Sequence, residues 1–131
     1  SNHGMMGLNI TGGRHCGIQD SEIAENGDVG VVLDGGDRIT LTPAGHYIKR
    51  CTVHHNQRWI MNYAPDIFLG GVGNSVAESE IYGSPQIAVF MQGNDHTLSH
   101  SHIHDAGRQC SDCGAFYMGR DWTYRGNRIL R

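Results

Sequence analysis

The sequence contains an internal repeat, and this repeat constrains the fold more than any other feature of the chain. The clearest copy spans residues 97–121, where two short strand-like runs, 98–103 and 115–118, are separated by a polar loop and followed by Gly-Arg-Asp. Earlier copies place the same two runs at 76–81 and 88–91, at 48–53 and 66–69, and at 18–23 and 30–33. A sequence pattern that recurs several times along one chain is typical of solenoids and other repeat architectures.

The apolar runs predict β-strands. They are four to six residues long, alternate with a period of two and end in Gly, Asn or Asp, whereas an amphipathic helix would show apolar residues three and four apart over a longer stretch. Glycine contributes 19 of 131 residues, about twice its usual share. The glycines fall where the strands end, so the composition agrees with a chain of many sharp turns.

Alternation along each run also predicts which side chains face inward, and equivalent residues of successive coils should stack ~4.8 Å apart. We expect polar inward residues to bond along their column or to turn amides. The predicted columns are Ile18, Ile48, Val76 and Leu98; Ser21, Cys51, Ser79, Ser101 and Asn127; Ile23, Val53, Ile81, Ile103 and Ile129; and Ile10, Leu33, Leu69, Met91 and Met118.

The recurring I-x-x-[SCN]-x-I run, followed by a short apolar strand and a turn with glycine, resembles the right-handed parallel β-helix of the pectate-lyase-like superfamily over residues 7–129. Residues 112–127 are also similar to a D-x-G-A-x-Y-x-G-R-D-W segment of β-helical proteins of carbohydrate-active type. The resemblance implies an all-β, right-handed parallel β-helix solenoid of about five coils that processes polysaccharide. The N-T-D, D-D, G-H-G and R-I-K elements of pectin-cleaving polygalacturonases are not found here.

The length predicts one domain. Ser1 and Asn2 look like a scar of tag cleavage, so we assign residues 1–6 to the scar and a leader and residues 7–131 to a partial β-helix domain. Because the sequence stops within a repeat, we expect a fragment of a longer protein, for which a secreted or cell-surface location would suit a polysaccharide substrate. Such a fragment should self-associate through its solenoid ends or through an outward aromatic row described below.

Charge and hydropathy exclude other partners. The formal net charge is −3, the pI is near 6.3 and no basic run exists, which argues against a nucleic-acid partner. No apolar run approaches the ~18 residues that a membrane-spanning helix needs. The resemblance to carbohydrate-active β-helical proteins implies a polysaccharide or an oligosaccharide as the partner.

The turn after the second strand of each coil holds the catalytic candidates. Stacking would place Asp95 about 5 Å from Asp121 at the backbone, a separation that suits two carboxylates of a glycosidase. Arg120 and His96 would position the substrate, and hydrolysis is favoured over lyase elimination. The alternative is that these residues form local hydrogen bonds in turns, in which case the domain is a non-catalytic glycan-binding or structural solenoid.

An outward row on the second strand contains three aromatic residues where polar ones are expected. Phe68, Phe90 and Tyr117 would stack on neighbouring coils, with Trp122 on an adjoining loop, and sugar rings bind to such surfaces. Two alternatives remain: the long loop 56–65 covers the row, or the row is a subunit interface.

Alternating histidines supply the metal candidates. His100, His102 and His104 should point outward on one face, with Glu80 beside His102 one coil earlier and Arg128 one coil later. His100 and His102 are the weak candidates for a divalent metal site or for acid–base work, and a solvated polar face is the alternative. No other cofactor is indicated.

Two cysteines form a lone C-x-x-C pair, Cys110 and Cys113. A zinc ribbon needs a second pair, so a local disulfide or two free thiols are the simpler interpretations. A three-ligand site with His104 is the remaining alternative.

Overall fold

The computed structural model describes residues 8–24, 30–55, 65–84, 87–106, 116–118 and 123–130, and over these ranges the protein is all-β. Fourteen short strands, β1 to β14, follow one another along the described chain, and none of its residues lies in a helix. The described segments accordingly provide no helix long and apolar enough to cross a membrane.

The strands form three sheets in which all paired strands are parallel. Sheet A contains β1 (Leu8–Thr11), β4 (Val31–Gly35), β7 (Pro65–Gly71), β10 (Ile87–Met91) and β13 (Phe116–Met118), in that order. Sheet B contains β2 (Gly17–Gln19), β5 (Tyr47–Lys49), β8 (Ser75–Ala77), β11 (Thr97–Ser99) and β14 (Arg128–Leu130). Sheet C contains β3 (Glu22–Ala24), β6 (Thr52–His54), β9 (Glu80–Ser84) and β12 (His102–Ala106). Each strand pairs with the third strand before or after it, and we call three successive strands, one from each sheet, a repeat.

The core consists of columns of like side chains drawn from all three sheets. Leu33 pairs with Leu69 and Leu69 with Met91 in sheet A, while Ile48 pairs with Val76 in sheet B. Full burial of one such side chain stabilises the fold by about 1.5–3 kcal/mol. The aliphatic columns expected from the sequence are confirmed through the fourth repeat; their completely buried members are Leu33, Ile48, Val53, Leu69, Val76, Ile81 and Met91.

The structure corrects the predicted division of each repeat into two strands. Residues 18–23 form parts of two strands, β2 and β3, which belong to different sheets. The chain bends between them at Asp20, whose φ is 53°, and its equivalents Arg50, Glu78 and His100 have φ values of 51°, 50° and 48°. Residues in this left-handed conformation are most often glycine, and because none of these four is glycine the sequence did not reveal the corner.

The last strand, β14, corrects a second expectation. Ile129 pairs with Leu98 of sheet B and not with Ile103 of sheet C, and Arg128 pairs with Thr97. Arg128 therefore does not lie beside the alternating histidines, as the sequence had suggested. The number of residues between apolar positions in the sequence places Ile129 in the column of Ile103. That number does not distinguish a strand of sheet B from a strand of sheet C.

Candidate functional site

A column of polar side chains lies where each repeat enters sheet B. Each member follows a residue with positive φ. In every member after the first, Cys16, the side chain accepts a hydrogen bond from the main-chain N–H of the equivalent residue one repeat earlier, at 2.9 to 3.1 Å. Because these bonds satisfy main-chain groups inside the fold, the column belongs to the framework. Its members are Cys16, His46, Asn74, His96 and Asn127.

His96, whose predicted role is to position a substrate, is a member of this column. Its ring is completely buried. Nδ1 accepts from the Asn74 N–H at 3.1 Å and Nε2 donates to the Gln92 carbonyl oxygen at 2.7 Å, so the ring proton resides on Nε2. Burial lowers the pKa of His96 below its ordinary value. A buried imidazole with both nitrogens bound to the main chain does not reach a substrate in solvent, so we leave His96 out of the proposed site.

The predicted inward column of serine and cysteine is present at the corner between sheets B and C. The Cys51 N–H donates to Ser79 Oγ and the Ser79 N–H to Ser101 Oγ, both at 3.2 Å. Each serine hydroxyl in turn donates to the carbonyl two residues before it, at 2.8 and 2.9 Å. The expected bonding along the column is confirmed, except that Asn127 belongs to the column of His96.

Asp95 is exposed on the turn before β11, with φ at 57°. Its N–H donates to the Arg125 carbonyl oxygen at 3.1 Å, and the buried Asn94 beside it donates through Nδ2 to the Thr123 carbonyl oxygen at 2.6 Å. The Asn94 side chain therefore has a structural role, bonding to main-chain carbonyl groups 29 and 31 residues later in the chain. Arg120 and Asp121 lie outside the described residues, so the predicted Asp95–Asp121 pair stays a prediction.

The outward row of sheet A has the predicted register. Phe68 pairs with Phe90, and Phe90 pairs with Tyr117. The Phe68 and Phe90 rings are half-buried and stacked, with centroids 5.8 Å apart and planes inclined by 21°. The structure thus shows two adjacent aromatic rings on the outer face of sheet A, while the Tyr117 side chain and Trp122 are outside its described part.

Two glutamate–histidine pairs of the same geometry lie on the outer face of sheet C. His54 Nε2 is 2.6 Å from Glu22 Oε1, and His104 Nε2 is 2.8 Å from Glu80 Oε1. In each pair the histidine is on the next strand, two residues beyond the residue in register with the glutamate. The hydrogen bond with His54 holds the pKa of the Glu22 carboxyl below its ordinary value.

An aromatic stack joins the two pairs. The Tyr82 ring lies between His54 and His104, with centroid distances of 4.7 and 4.9 Å and interplanar angles of 4° and 9°. Stacking on Tyr82 fixes the plane of each imidazole. The outer face of sheet C is therefore an ordered arrangement of imidazole and carboxylate groups.

Glu80, His102 and His104 bring three potential ligand atoms to within 4.8 Å of one another. The sequence had placed Glu80 beside His102, and the register confirms this neighbour. His100, the other weak metal candidate, lies at the corner before β12 and not on the strand, so His104 takes its place. His104 could have been identified as the third residue of this cluster from the sequence, because it lies two residues beyond His102, the residue expected beside Glu80, and so faces the same side of the strand.

An open polar depression of about 570 Å³ adjoins this cluster. Its lining includes Arg50, Glu78, Glu80, His100 and His102. Arg50 is held in place by Asp20, whose carboxylate accepts from Arg50 Nε at 2.6 Å, and this bond lowers the pKa of Asp20. The depression presents both charge signs to solvent.

Cys110 and Cys113 lie outside the described residues, and their predicted pairing is not tested. Among the described cysteines, Cys16 is exposed and Cys51 is buried, and both are free thiols.

Comparison of this chain with protein-family models, curated proteins and solved structures finds no match in any of the three.

Proposed function

We propose that the chain is part of a right-handed parallel β-helix. Three parallel sheets in which each strand pairs with the third strand along the chain support this architecture. Crossovers between parallel strands of one sheet are right-handed in about 98% of cases, which supports the hand. Columns of like residues, such as Leu33, Leu69 and Met91, are the packing that a coiled chain of this kind produces.

We further propose that this β-helix binds polysaccharide on the outer face of sheet A. The observation that carries the proposal is the stacked pair Phe68 and Phe90. Strands in one sheet are ~4.8 Å apart, so an aromatic residue at the same register of neighbouring strands gives a continuous apolar strip. The C–H faces of sugar rings bind to such strips, and a polymer of sugars can extend along them.

Cleavage of a glycosidic bond, with hydrolysis favoured over elimination, is the activity proposed for this domain. Asp95 is exposed at a turn and accessible to a substrate in solvent. With Asp121 as its partner it would provide the acid and base carboxylates of a glycosidase, with Arg120 as a positioning residue. The competing proposal is a domain that binds glycan or spaces other domains without catalysis, and the fixed hydrogen bonds of Asn94 support that view of the turn.

Binding is tested by replacing the rings with aliphatic side chains of similar size. Phe68→Leu and Phe90→Leu keep apolar volume and remove the stacking face. We expect each variant to weaken binding to a polysaccharide from a tested panel by about 2- to 10-fold, since aromatic stacking contributes about 0.5–1.5 kcal/mol. Val32→Ala, in the same row, is the control. Unchanged affinity in both leucine variants, with wild-type circular dichroism, would contradict the proposal.

Catalysis is tested separately on the same panel. Asp121→Asn and Asp95→Asn should abolish release of reducing ends while leaving polysaccharide binding intact. If wild-type protein binds a glycan but neither it nor the variants release reducing ends, the domain is a binder. Unchanged turnover in Asp121→Asn would remove the catalytic assignment.

A further inference from the structure

The cluster of Glu80, His102 and His104 on the outer face of sheet C has the composition of a transition-metal site. Two imidazoles and one carboxylate are ligands that Zn²⁺ accepts, and three protein ligands leave a fourth position for water or a substrate. We propose that Glu80, His102 and His104 bind a divalent first-row transition metal, with Zn²⁺ as the ion that suits the donor set. This proposal goes beyond glycan binding, which uses the outer face of sheet A.

The strand geometry brings the three groups together. His102 and His104 are two residues apart on β12 and so share one face of the sheet, with ring centroids 4.7 Å apart. Glu80 is in register with His102 and lies 2.8 Å from His104 Nε2. In a tetrahedral zinc site, ligand atoms ~2.0–2.1 Å from the metal are roughly 3.3 Å from one another. The ligand atoms are already within 4.8 Å, so small rotations of the exposed Glu80 and His102 side chains complete the site.

Neighbouring residues hold one ligand in advance of metal binding. Tyr82 stacks on the His104 ring at 4.9 Å and 9°, which restricts the imidazole to one plane. A ligand fixed in this way loses less conformational freedom when the ion binds. The donor set also selects the ion, because Mg²⁺ and Ca²⁺ prefer oxygen ligands while imidazole favours Zn²⁺, Cu²⁺ and Ni²⁺.

The molecule contains a natural control for this site. Glu22 and His54 repeat the diagonal pair of Glu80 and His104 on the same face. At the position of His102, however, the earlier strand has Thr52, which is in register with Glu22. Replacing His102 with threonine therefore converts the proposed site into a copy of a pair that the chain already contains.

The experiment titrates Zn²⁺ into the full chain by isothermal calorimetry and records the visible spectrum with Co²⁺ as a second probe. We expect His102→Thr and Glu80→Gln to weaken one binding equivalent by at least about 100-fold, more than the loss of an outer-shell partner causes. His54→Asn, which removes a histidine from the same face, should leave that equivalent unchanged. Wild-type Zn²⁺ binding in a folded His102→Thr variant would overturn the proposal.

A gain of binding gives an independent arm of the same test. Thr52→His places a second imidazole beside Glu22 and His54 in the arrangement of the proposed site. One additional Zn²⁺ equivalent is expected in this variant. If Thr52→His folds with wild-type circular dichroism and binds no additional ion, the diagonal arrangement is not sufficient for a metal site and the argument from geometry is refuted.

Discussion

Substitution of His96 separates the two tasks of a buried side chain, filling space and pairing main-chain groups. His96→Ala removes the partner of the Asn74 N–H and of the Gln92 carbonyl. Each unpaired buried group costs about 1–3 kcal/mol, so the alanine variant should lose about 2–6 kcal/mol before any contribution from the cavity. Since domains of this size are stable by roughly 7–20 kcal/mol, the loss is a large share of the total.

His96→Asn should be much milder, because asparagine already performs the same task one repeat earlier. Asn74 accepts from the His46 N–H through Oδ1 and donates through Nδ2 to the carbonyl four residues before it, Gly70, at 2.6 Å. His96 bonds to the carbonyl four residues before it in the same way. We expect the asparagine variant to lose only about 1–2 kcal/mol, from reduced volume.

Urea unfolding followed by circular dichroism measures both variants, with the midpoint compared at equal m-value. The reasoning requires the asparagine variant to be clearly more stable than the alanine variant. Equal losses in the two would show that volume, and not pairing of the main chain, determines the stability at this position.

The wild type and the His96→Asn variant should also differ in how their stability depends on pH, with a known sign. Burial lowers the pKa of His96 in the folded state from an ordinary value of 6.5. As pH falls through that ordinary value the unfolded chain binds a proton that the folded chain does not, so the stability present above pH 6.5 is progressively lost below it. The wild type should therefore lose up to ~1.4 kcal/mol per pH unit relative to His96→Asn in this window. Superimposable pH profiles of the two proteins would refute the assignment of a neutral buried ring.

Two further predictions concern the turns and the edges. Gly71 has φ of 73°, and an added Cβ would lie 1.8 Å from the Gly35 carbonyl oxygen, whereas Gly12 has φ of 76° and open space. Gly12→Ala should cost about 1–2 kcal/mol and Gly71→Ala about 1–3 kcal/mol more, measured by thermal unfolding, and equal costs would contradict the close approach. Exposed Ile129 and Leu130, at 58% and 48%, lie on the edge strand of sheet B, so the chain should associate with increasing concentration in sedimentation experiments. Lysine at both positions should reduce that association and Ile39→Lys, on a turn, should not; a strictly monomeric wild type would refute the prediction.

The parallel, all-β arrangement was predictable because alternation and turn chemistry repeat along the chain. Ile18, Ile48, Val76 and Leu98 are equivalent by pattern and by register alike. The third sheet was not predictable from those signals, since the corner before β3 and its equivalents use non-glycine residues in a left-handed conformation. A charged or polar residue at such a corner fits the alternation of apolar and polar residues along one strand, so the sequence there looks like the middle of a single strand.

The position of β14 could have been found from a different signal. A glycine or aspartate with positive φ followed by histidine or asparagine precedes four of the sheet B strands, as in Gly45-His46, Gly73-Asn74, Asp95-His96 and Gly126-Asn127. This dipeptide, and not the count between isoleucines, marks the start of the last four strands of sheet B. The burial of His96 was not predictable, because a polar residue in a turn gives no sign in the sequence of whether it faces water or the interior.

The polar column that contains His96 gives the molecule a direction. Every acceptor side chain reaches back to a donor that precedes it, so each tier of the structure depends chemically on the tier that follows. Removal of the chain from Asn127 onward would leave the N–H of the buried His96 without the side-chain acceptor that Asn127 provides, whereas removal of the first repeat would take from His46 Nδ1 the Cys16 N–H that it accepts and from His46 Nε2 the Gly12 carbonyl oxygen. Shortening the protein from its two ends is therefore not equivalent within this column: loss from the carboxyl side leaves a main-chain N–H unpaired, and loss from the amino side leaves both nitrogens of a buried imidazole unpaired.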